Sequence, residues 1–587
     1  MADIKYYTTE RNARILISLL KERGIKRVIA SPGTTNISVI GSMMNDPFFT
    51  IYSAPDERSA AYMACGMAVE SGEPVVISCT GATASRNYLP GLTEAYYRKI
   101  PVLALTSSLQ IGRSGHLYPQ FIDRTQHPKD TVNYSTQVYP VDTAEDEWNC
   151  VIKINEALLA LSRNGGGPVH INLMTKGEFA DFSVKELPMV RKINRLYLGD
   201  DLPCINGKVA IFVGSHRKFS EDLTNEINTF CGIYDSVVFC DHTSGYKGKY
   251  RVLYPIVASQ PRADEVLDKI DILIHIGEVS GDYYTQGRLK TVKTVWRVNE
   301  DGEIRDYFHH VTSVFQMKEA DFFRYYNRGN IIESKTGQLE HCKSIIKLIQ
   351  DNLPEFPFSN IWIASVSHFK LPQNSVLHLG ILNSLRSWNF FEIPQNVDSY
   401  SNVGGFGIDG GLSTLIGSSL TDSNRLYFGI FGDLAFFYDM NSLGNRHVGN
   451  NLRIMLINNG KGTEFRNYTH PGFAFGDRAD EYIAAARHYG NKSKELIKHY
   501  AADLGFEYLT ASGKEEYLDV CDIFFSPKLT KSIIFEVFTN NEDESNALMK
   551  LNNILLDAKH QIVNFIEKNG GGSCIAVARK IKDSLKL

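Results

Sequence analysis

Two short polar signatures, Gly432-Asp433 and Asn458-Asn459, are placed so that Asp433 and Asn459 lie 26 residues apart. Each ends an apolar run, RLYFGIF before the first and LRIMLI before the second. A strand, a helix and a second parallel strand fill that spacing and return both signatures to one sheet edge, where open α/β sheets bind ligands. A carboxylate, an amide oxygen and a backbone carbonyl make a hard-oxygen site for magnesium, whose other positions go to phosphate oxygens and water. Gly432 permits close backbone approach to a phosphate. Leu434 and Ala435 would open a helix whose first amides attract anions. Either half alone is equally an ordinary turn; the two together point to a metal-bound diphosphate.

The elements that must position these residues read as α/β throughout. RNARILISLLKERG is an amphipathic helix ending at Gly24, and RVIASPG is a strand running into a turn. DERSAAYMACGMAVESG and YLPGLTEAYYRKI are helices that alternate with the buried strands PVVISCTGA and PVLALTSS, as parallel βαβ units require. Residues 186–207 read as a charged linker. KVAIFVGS and IDILIHIGE are central strands of a second unit, and 329–360 is another boundary. RLYFGIFGD, LRIMLINN and KSIIFEVFT are strands of a third, and the GGG at 570–572 falls in a C-terminal tail. The expected architecture is three tandem doubly wound parallel-sheet domains, over residues 1–185, 208–328 and 361–587. That fold serves many chemistries and does not choose among them.

The net charge of −4 gives no reason to expect nucleic acid or an anionic membrane as a partner. Nine cysteines without a CxxC argue against zinc or a dithiol centre and suit a reducing compartment. The start, MADIKYYTTERN, lacks a signal-type apolar stretch, and no apolar run reaches membrane-spanning length. A cytoplasmic protein is expected.

The GD and NN pair at this spacing resembles the signature of thiamine-diphosphate (ThDP) enzymes. GDLAFFYDMN is closer to one branch, the menaquinone-pathway 2-succinyl-5-enolpyruvyl-6-hydroxy-3-cyclohexene-1-carboxylate synthases. SPGTTN, PDERSAAYMACGMA, CTGATASRNYLPGLTEAYY and SNVGGFGIDGGLST resemble that family's blocks in the same order, so the likeness spans nearly the whole chain. It implies a ThDP fold in pyrimidine-binding, middle and diphosphate-binding order. It implies metal ligation by Asp433, Asn459 and the Lys461 carbonyl, and the Ser384 hydroxyl on the diphosphate. Ile408 would be the apolar wedge that bends the cofactor, and the Phe406 carbonyl would accept from its aminopyrimidine. From the residues alone Ile408 is equally a core side chain. Gly405, Gly407 and Gly410 also spell G-x-G-x-x-G, but no good strand is evident before them and no ribose-binding acid follows.

Glu57 opens a helix after FFTIYSA, with Ala60, Ala61, Ala64 and Gly66 leaving room for close packing. Locally it fits a helix-N-terminal carboxylate as well as a proton relay. The resemblance matches it to the glutamate that activates the cofactor of a neighbouring subunit, which makes a homodimer or homotetramer the expected assembly. Gln120 matches a family active-site glutamine. Glu464, after the metal turn, is the second choice for proton transfer, with Arg113, His116, His127, Arg466 and His470 nearby in sequence; a solvated loop accounts for each equally well.

The resemblance breaks at three arginines that hold substrate carboxylates in the family. The matching positions here are Thr35, Trp388 and Val403. One charge-assisted hydrogen bond is worth about 1.5–3 kcal/mol, so losing three guanidinium groups changes substrate affinity by orders of magnitude. Arg386 is placed to replace one of them at most. The expected function is therefore a ThDP- and magnesium-dependent carboligase that decarboxylates a 2-oxo acid and passes the acyl unit to another acceptor, a sugar among the options. The alternatives are the synthase itself with a rewired pocket, a simple 2-oxo acid decarboxylase, and, from another class, a flavin- or nucleotide-binding protein.

Overall fold

The computed structural model describes residues 6–109, 111–261, 263, 269–329, 334–488, 493–528 and 530–557. The glycine run 570–572 and Cys574 lie outside them. The chain forms two compact units, residues 1–196 with 303–314, and residues 197–302 with 315–587.

The first unit carries β1 (Arg27–Ala30), β2 (Thr50–Ser53), β3 (Val75–Cys79), β4 (Val102–Ser108), β5 (Tyr134–Val138) and β6 (Val169–Met174). Their order is β2-β1-β3-β4-β6-β5, and every pairing is parallel. β3 and β4 are buried along their whole length, which is why they read as unbroken apolar runs. The helix Glu57–Ser71 starts where the Asp56 side chain accepts from the amides of Arg58 and Ser59, and ends at Gly72 with φ +67°. Its buried alanines face the helix Leu89–Tyr97, where a Cβ on Gly91 would lie 2.5 Å from the Ala61 Cβ. Gly66 lies on the exposed side, so the close packing comes from Gly91.

The middle sheet contains β7 (Asn194–Tyr197), β8 (Val209–Val213), β9 (Val238–Cys240), β10 (Arg251–Leu253), β11 (Ile272–Ile276), β12 (Thr294–Asn299) and β13 (Val311–Gln316), in the order β10-β9-β8-β11-β12-β13-β7. β7 lies inside the stretch expected to be a linker. NRLY is a half-exposed strand at the sheet's end and carries no apolar run.

The third sheet contains β14 (Val376–Leu379), β15 (Asp398–Tyr400), β16 (Tyr427–Gly432), β17 (Leu452–Asn458), β18 (Glu507–Ala511) and β19 (Ile533–Phe538). It is wholly parallel in the order β15-β14-β16-β17-β19-β18. The chain leaves β14 for β15 on one side and reaches β16 on the other, so the strand order reverses between β14 and β16. A short strand, β15, does precede the glycine-rich loop, contrary to the sequence reading. It is an edge strand of three residues, too short to show in composition. Gly410, with φ +76°, opens the helix Gly411–Ser419.

Candidate active site

β16 ends at Gly432, and Asp433 begins the helix Asp433–Asp439. The Leu434 amide donates to Asp433 Oδ1 at 2.8 Å. The Gly460 amide donates to Asp433 Oδ2, also at 2.8 Å. The second bond brings the turn after β17 onto the end of β16, so the 26-residue step does converge. Asp433 is 3% exposed and makes no ion pair among the described residues. Burial pushes its carboxyl up to about 7. A buried carboxylate with amide donors and no cationic side chain is the environment a divalent cation completes.

The two asparagines separate cleanly. Asn458 is buried and donates to Glu536 Oε1 at 2.7 Å, a bond within the sheet. Among the described residues the Asn459 side-chain oxygen receives only a long 3.5 Å contact from the Lys461 amide. Lys461 Nζ is taken by Asp480 at 2.5 Å, which leaves its carbonyl as the group it can offer a metal. The donor set Asp433, Asn459 and Lys461 C=O therefore fits a hard cation.

Ile408 and Ala435 line one cleft together with Gly380, Gly407 and Gly411. This cleft sits at the reversal between β14 and β16, where a doubly wound sheet takes its ligand. Phe406, beside it, has φ +53°, and Leu382, after β14, has φ +64°. Such backbone costs a non-glycine residue about 1–3 kcal/mol, and its concentration at this crevice marks a site shaped against local preference. Ser384, in the helix Asn383–Trp388, is buried and accepts from Asn360 Nδ2 at 3.2 Å. Asp439 fastens the helix Gly411–Ser419, taking the Ser413 amide and hydroxyl at 2.6 Å each.

One participant was not visible in the sequence. Glu544 is fully buried and accepts from the Asn360 amide at 3.0 Å, Asn383 Nδ2 at 3.3 Å and the Thr539 hydroxyl at 2.9 Å. Burial raises its carboxyl pKa. NNEDESN reads as a solvated acidic helix start and gives no sign of this. Arg386, which the sequence offered as a replacement for one arginine, is already partnered. It forks onto Glu464, with Nη1 to Oε1 at 3.1 Å and Nη2 to Oε2 at 2.7 Å. Despite burial, that guanidinium holds Glu464 below the ordinary carboxylate range. That pairing favours the charged form of Glu464, and it engages the Arg386 guanidinium. Arg386→Met should strand the Glu464 carboxylate and lower stability by about 3 kcal/mol. A denaturant midpoint equal to wild type contradicts this, whereas Arg386→Lys should retain part of the loss.

Trp388 is 0% exposed and Val403 2%. His242, in the turn after β9, has Nε2 3.0 Å from the carbonyls of both Trp388 and Phe391. A Cβ on Gly281 would lie 2.3 Å from Leu385 Cδ2 and 3.2 Å from Val403 Cγ1. Both positions are packed interior.

Glu57 and Gln120 belong to the first unit. Glu57 is half-buried at its helix start, and Gln120 is exposed with φ +70°. Thr35 Oγ1 lies 2.7 Å from Thr80 Oγ1 and donates to the Ser107 carbonyl at 2.7 Å. It ties together the ends of β1, β3 and β4. A Cβ on Gly33 would fall 2.4 Å from Thr80 Cβ, so this turn requires glycine. Among the described residues no helix is long and apolar enough to cross a membrane.

Three doubly wound sheets, with a cation cradle and an anion-attracting helix start at the reversal of the third, define a thiamine-diphosphate enzyme. The family model for the thiamine pyrophosphate enzyme N-terminal TPP binding domain matches residues 11–127. The 2-succinyl-5-enolpyruvyl-6-hydroxy-3-cyclohexene-1-carboxylate synthase of Bacteroides fragilis is 30% identical, covering 95% of this chain and 100% of its own length. The synthase of the same name from Bacteroides thetaiotaomicron is 28% identical over 95% of this chain and 99% of its own. That from Cytophaga hutchinsonii is 26% identical over 88% and 94%. The chain belongs to this synthase family, and its cofactors are ThDP and a divalent metal.

Proposed function

We propose that the protein is a decarboxylating carboligase working as its relatives' name describes, joining the acyl part of a 2-oxo acid to an unsaturated cyclic acceptor. The observation that carries this reading is the Asp433–Gly460 bond, which closes a cation cradle beside the Ile408 cleft. Bound ThDP supplies a nucleophilic carbon and an electron sink. Asp433, Asn459 and the Lys461 carbonyl hold magnesium. The amides of Leu434 and Ala435 and the Ser384 hydroxyl hold the diphosphate. Gly432 lets it approach, Ile408 shapes its bend, and the Phe406 carbonyl orients its amine. Glu57 of a neighbouring copy moves the activating proton. Gln120 stands on the acceptor side, and Glu464 fixes the position of Arg386.

A homodimer, or a homotetramer built as a dimer of dimers, follows from Glu57 acting on another copy's cofactor. The exposed side of the Glu57 helix carries Tyr62, Met63 and Val69, an apolar stripe suited to a subunit interface. A cytoplasmic location agrees with this chemistry.

A second reading, a different 2-oxo acid or a sugar acceptor, is favoured by one observation. Thr35, Trp388 and Val403 occupy the positions that the resemblance gives to arginines; Thr35 bonds the Ser107 carbonyl, and Trp388 and Val403 are buried. Carbon dioxide release and product formation with 2-oxoglutarate plus isochorismate separate the readings. Efficient formation of the ligated product supports the first. Carbon dioxide without ligation indicates a simple decarboxylase. Turnover only with another pair supports the second, and a yellow flavin spectrum would remove both.

A further inference from the structure

The first sheet has a reversal of its own. The chain leaves β1 for β2 on one side and reaches β3 on the other. Thr35 follows β1, and Thr80 and Gly81 follow β3, so they border the crevice where a doubly wound sheet takes a ligand. Arg124 reaches this crevice from the loop after β4. The Thr35 hydroxyl donates to the Ser107 carbonyl at 2.7 Å, and Arg124 Nη1 lies 3.5 Å from that same oxygen. A Cβ on Gly81 would stand 3.4 Å from Arg124 Nη2, 3.5 Å from Nη1 and 3.4 Å from the Gln120 carbonyl oxygen. The guanidinium therefore lies over Gly81, beside Thr35 and the backbone of Gln120.

No carboxylate meets it. Arg124 is 6% exposed and makes no ion pair among the described residues. Its Nε is enclosed without a partner, whereas Nη2 has no acceptor and keeps contact with solvent. Burial lowers the pKa of the group, and Arg86 nearby acts in the same direction. A cation held in this way is costly unless an anion completes it. Its backbone is fixed from the sheet. Gln137 Nε2 in β5 donates to the Arg124 carbonyl at 3.2 Å, and Asn172 Nδ2 in β6 donates to Gln137 Oε1 at 2.7 Å.

We propose that Arg124 holds the carboxylate of the acceptor, supplying from the loop after β4 the guanidinium that position 35 lacks. This rests on the carboligase reading above. The carboxylate is one that the reaction leaves in place, because a guanidinium on the departing group would stabilise it against loss as carbon dioxide. Gln120, expected on the acceptor side, shares the contact over Gly81, which assigns Arg124 to the acceptor rather than the donor. A cyclic acceptor bearing one carboxylate is the class that a single guanidinium fits.

The test is calorimetric titration of the holoenzyme, saturated with ThDP and magnesium, with benzoate and with benzamide, its uncharged isostere. Benzoate should bind saturably and about tenfold or more tighter than benzamide, the worth of one charge-assisted hydrogen bond. Arg124→Met and Arg124→Gln should each erase that preference, and Arg124→Lys should recover part of it, since an ammonium lacks the planar fork. The rise in unfolding temperature that ThDP and magnesium confer verifies the fold of each variant. Exchange of the cofactor's C2 proton in the wild type, read on the same preparation, reports on the carboligase reading separately. No saturable binding of benzoate, equal binding of the two probes, or a preference that survives in either neutral variant overturns the proposal. With exchange intact, that result leaves a carboligase whose acceptor is held elsewhere. Absent exchange instead removes the carboligase reading, and the acceptor assignment with it.

Discussion

Replacing Glu57 by glutamine should leave ThDP and magnesium bound and slow exchange of the cofactor's C2 proton by about 10²–10⁴-fold, the range of a lost acid–base group. Glutamine keeps the size and the helix start, where Asp56 supplies the cap, so the fold is preserved. It cannot pass a proton. Exchange followed by NMR after acid quench reads this step directly, before any substrate is added. The readout therefore does not depend on knowing the donor or the acceptor. Exchange at the wild-type rate would take Glu57 out of the relay. Mixing inactive Glu57→Gln chains with inactive Asp433→Asn chains should restore part of the activity if Glu57 serves the cofactor of another copy.

Asp433→Asn should remove the stabilisation that ThDP plus magnesium confers. A ligand that binds only the folded protein adds about 2.7 kcal/mol at a hundredfold excess over its Kd. The wild-type chain should show that gain as a rise in unfolding temperature, and the variant little or none. Without cofactor, asparagine removes a buried charge but leaves one of the two backbone amides facing an NH2 group instead of an acceptor. A variant that keeps the cofactor shift would take Asp433 out of the metal site.

The parts of the fold that were legible are those where burial dictates composition. β3, β4, β16 and β17 are buried along nearly their whole length and so are continuous apolar runs. β7 and β15 escaped because short strands at a sheet's end need no apolar run. The meeting of Asp433 with the turn after β17 was legible because its residues come from two strand ends at fixed spacing. Which asparagine serves it depended on Glu536, 78 residues on from Asn458, and no local pattern reports that partner. Glu544 and the Arg386–Glu464 pair are long-range in the same sense. The strained backbone at Leu382 and Phe406 was invisible because neither residue type announces a positive φ.

The embedding of Trp388 and Val403 bears on what a charge there would cost. An arginine introduced at 388 would have to place its guanidinium where a fully enclosed indole now sits. One at 403 would meet the chain at Gly281. Each would bury an unpaired charge at a cost of several kcal/mol. A charge at either position therefore needs concerted changes in the residues packed around it, because neighbouring substitutions do not act independently.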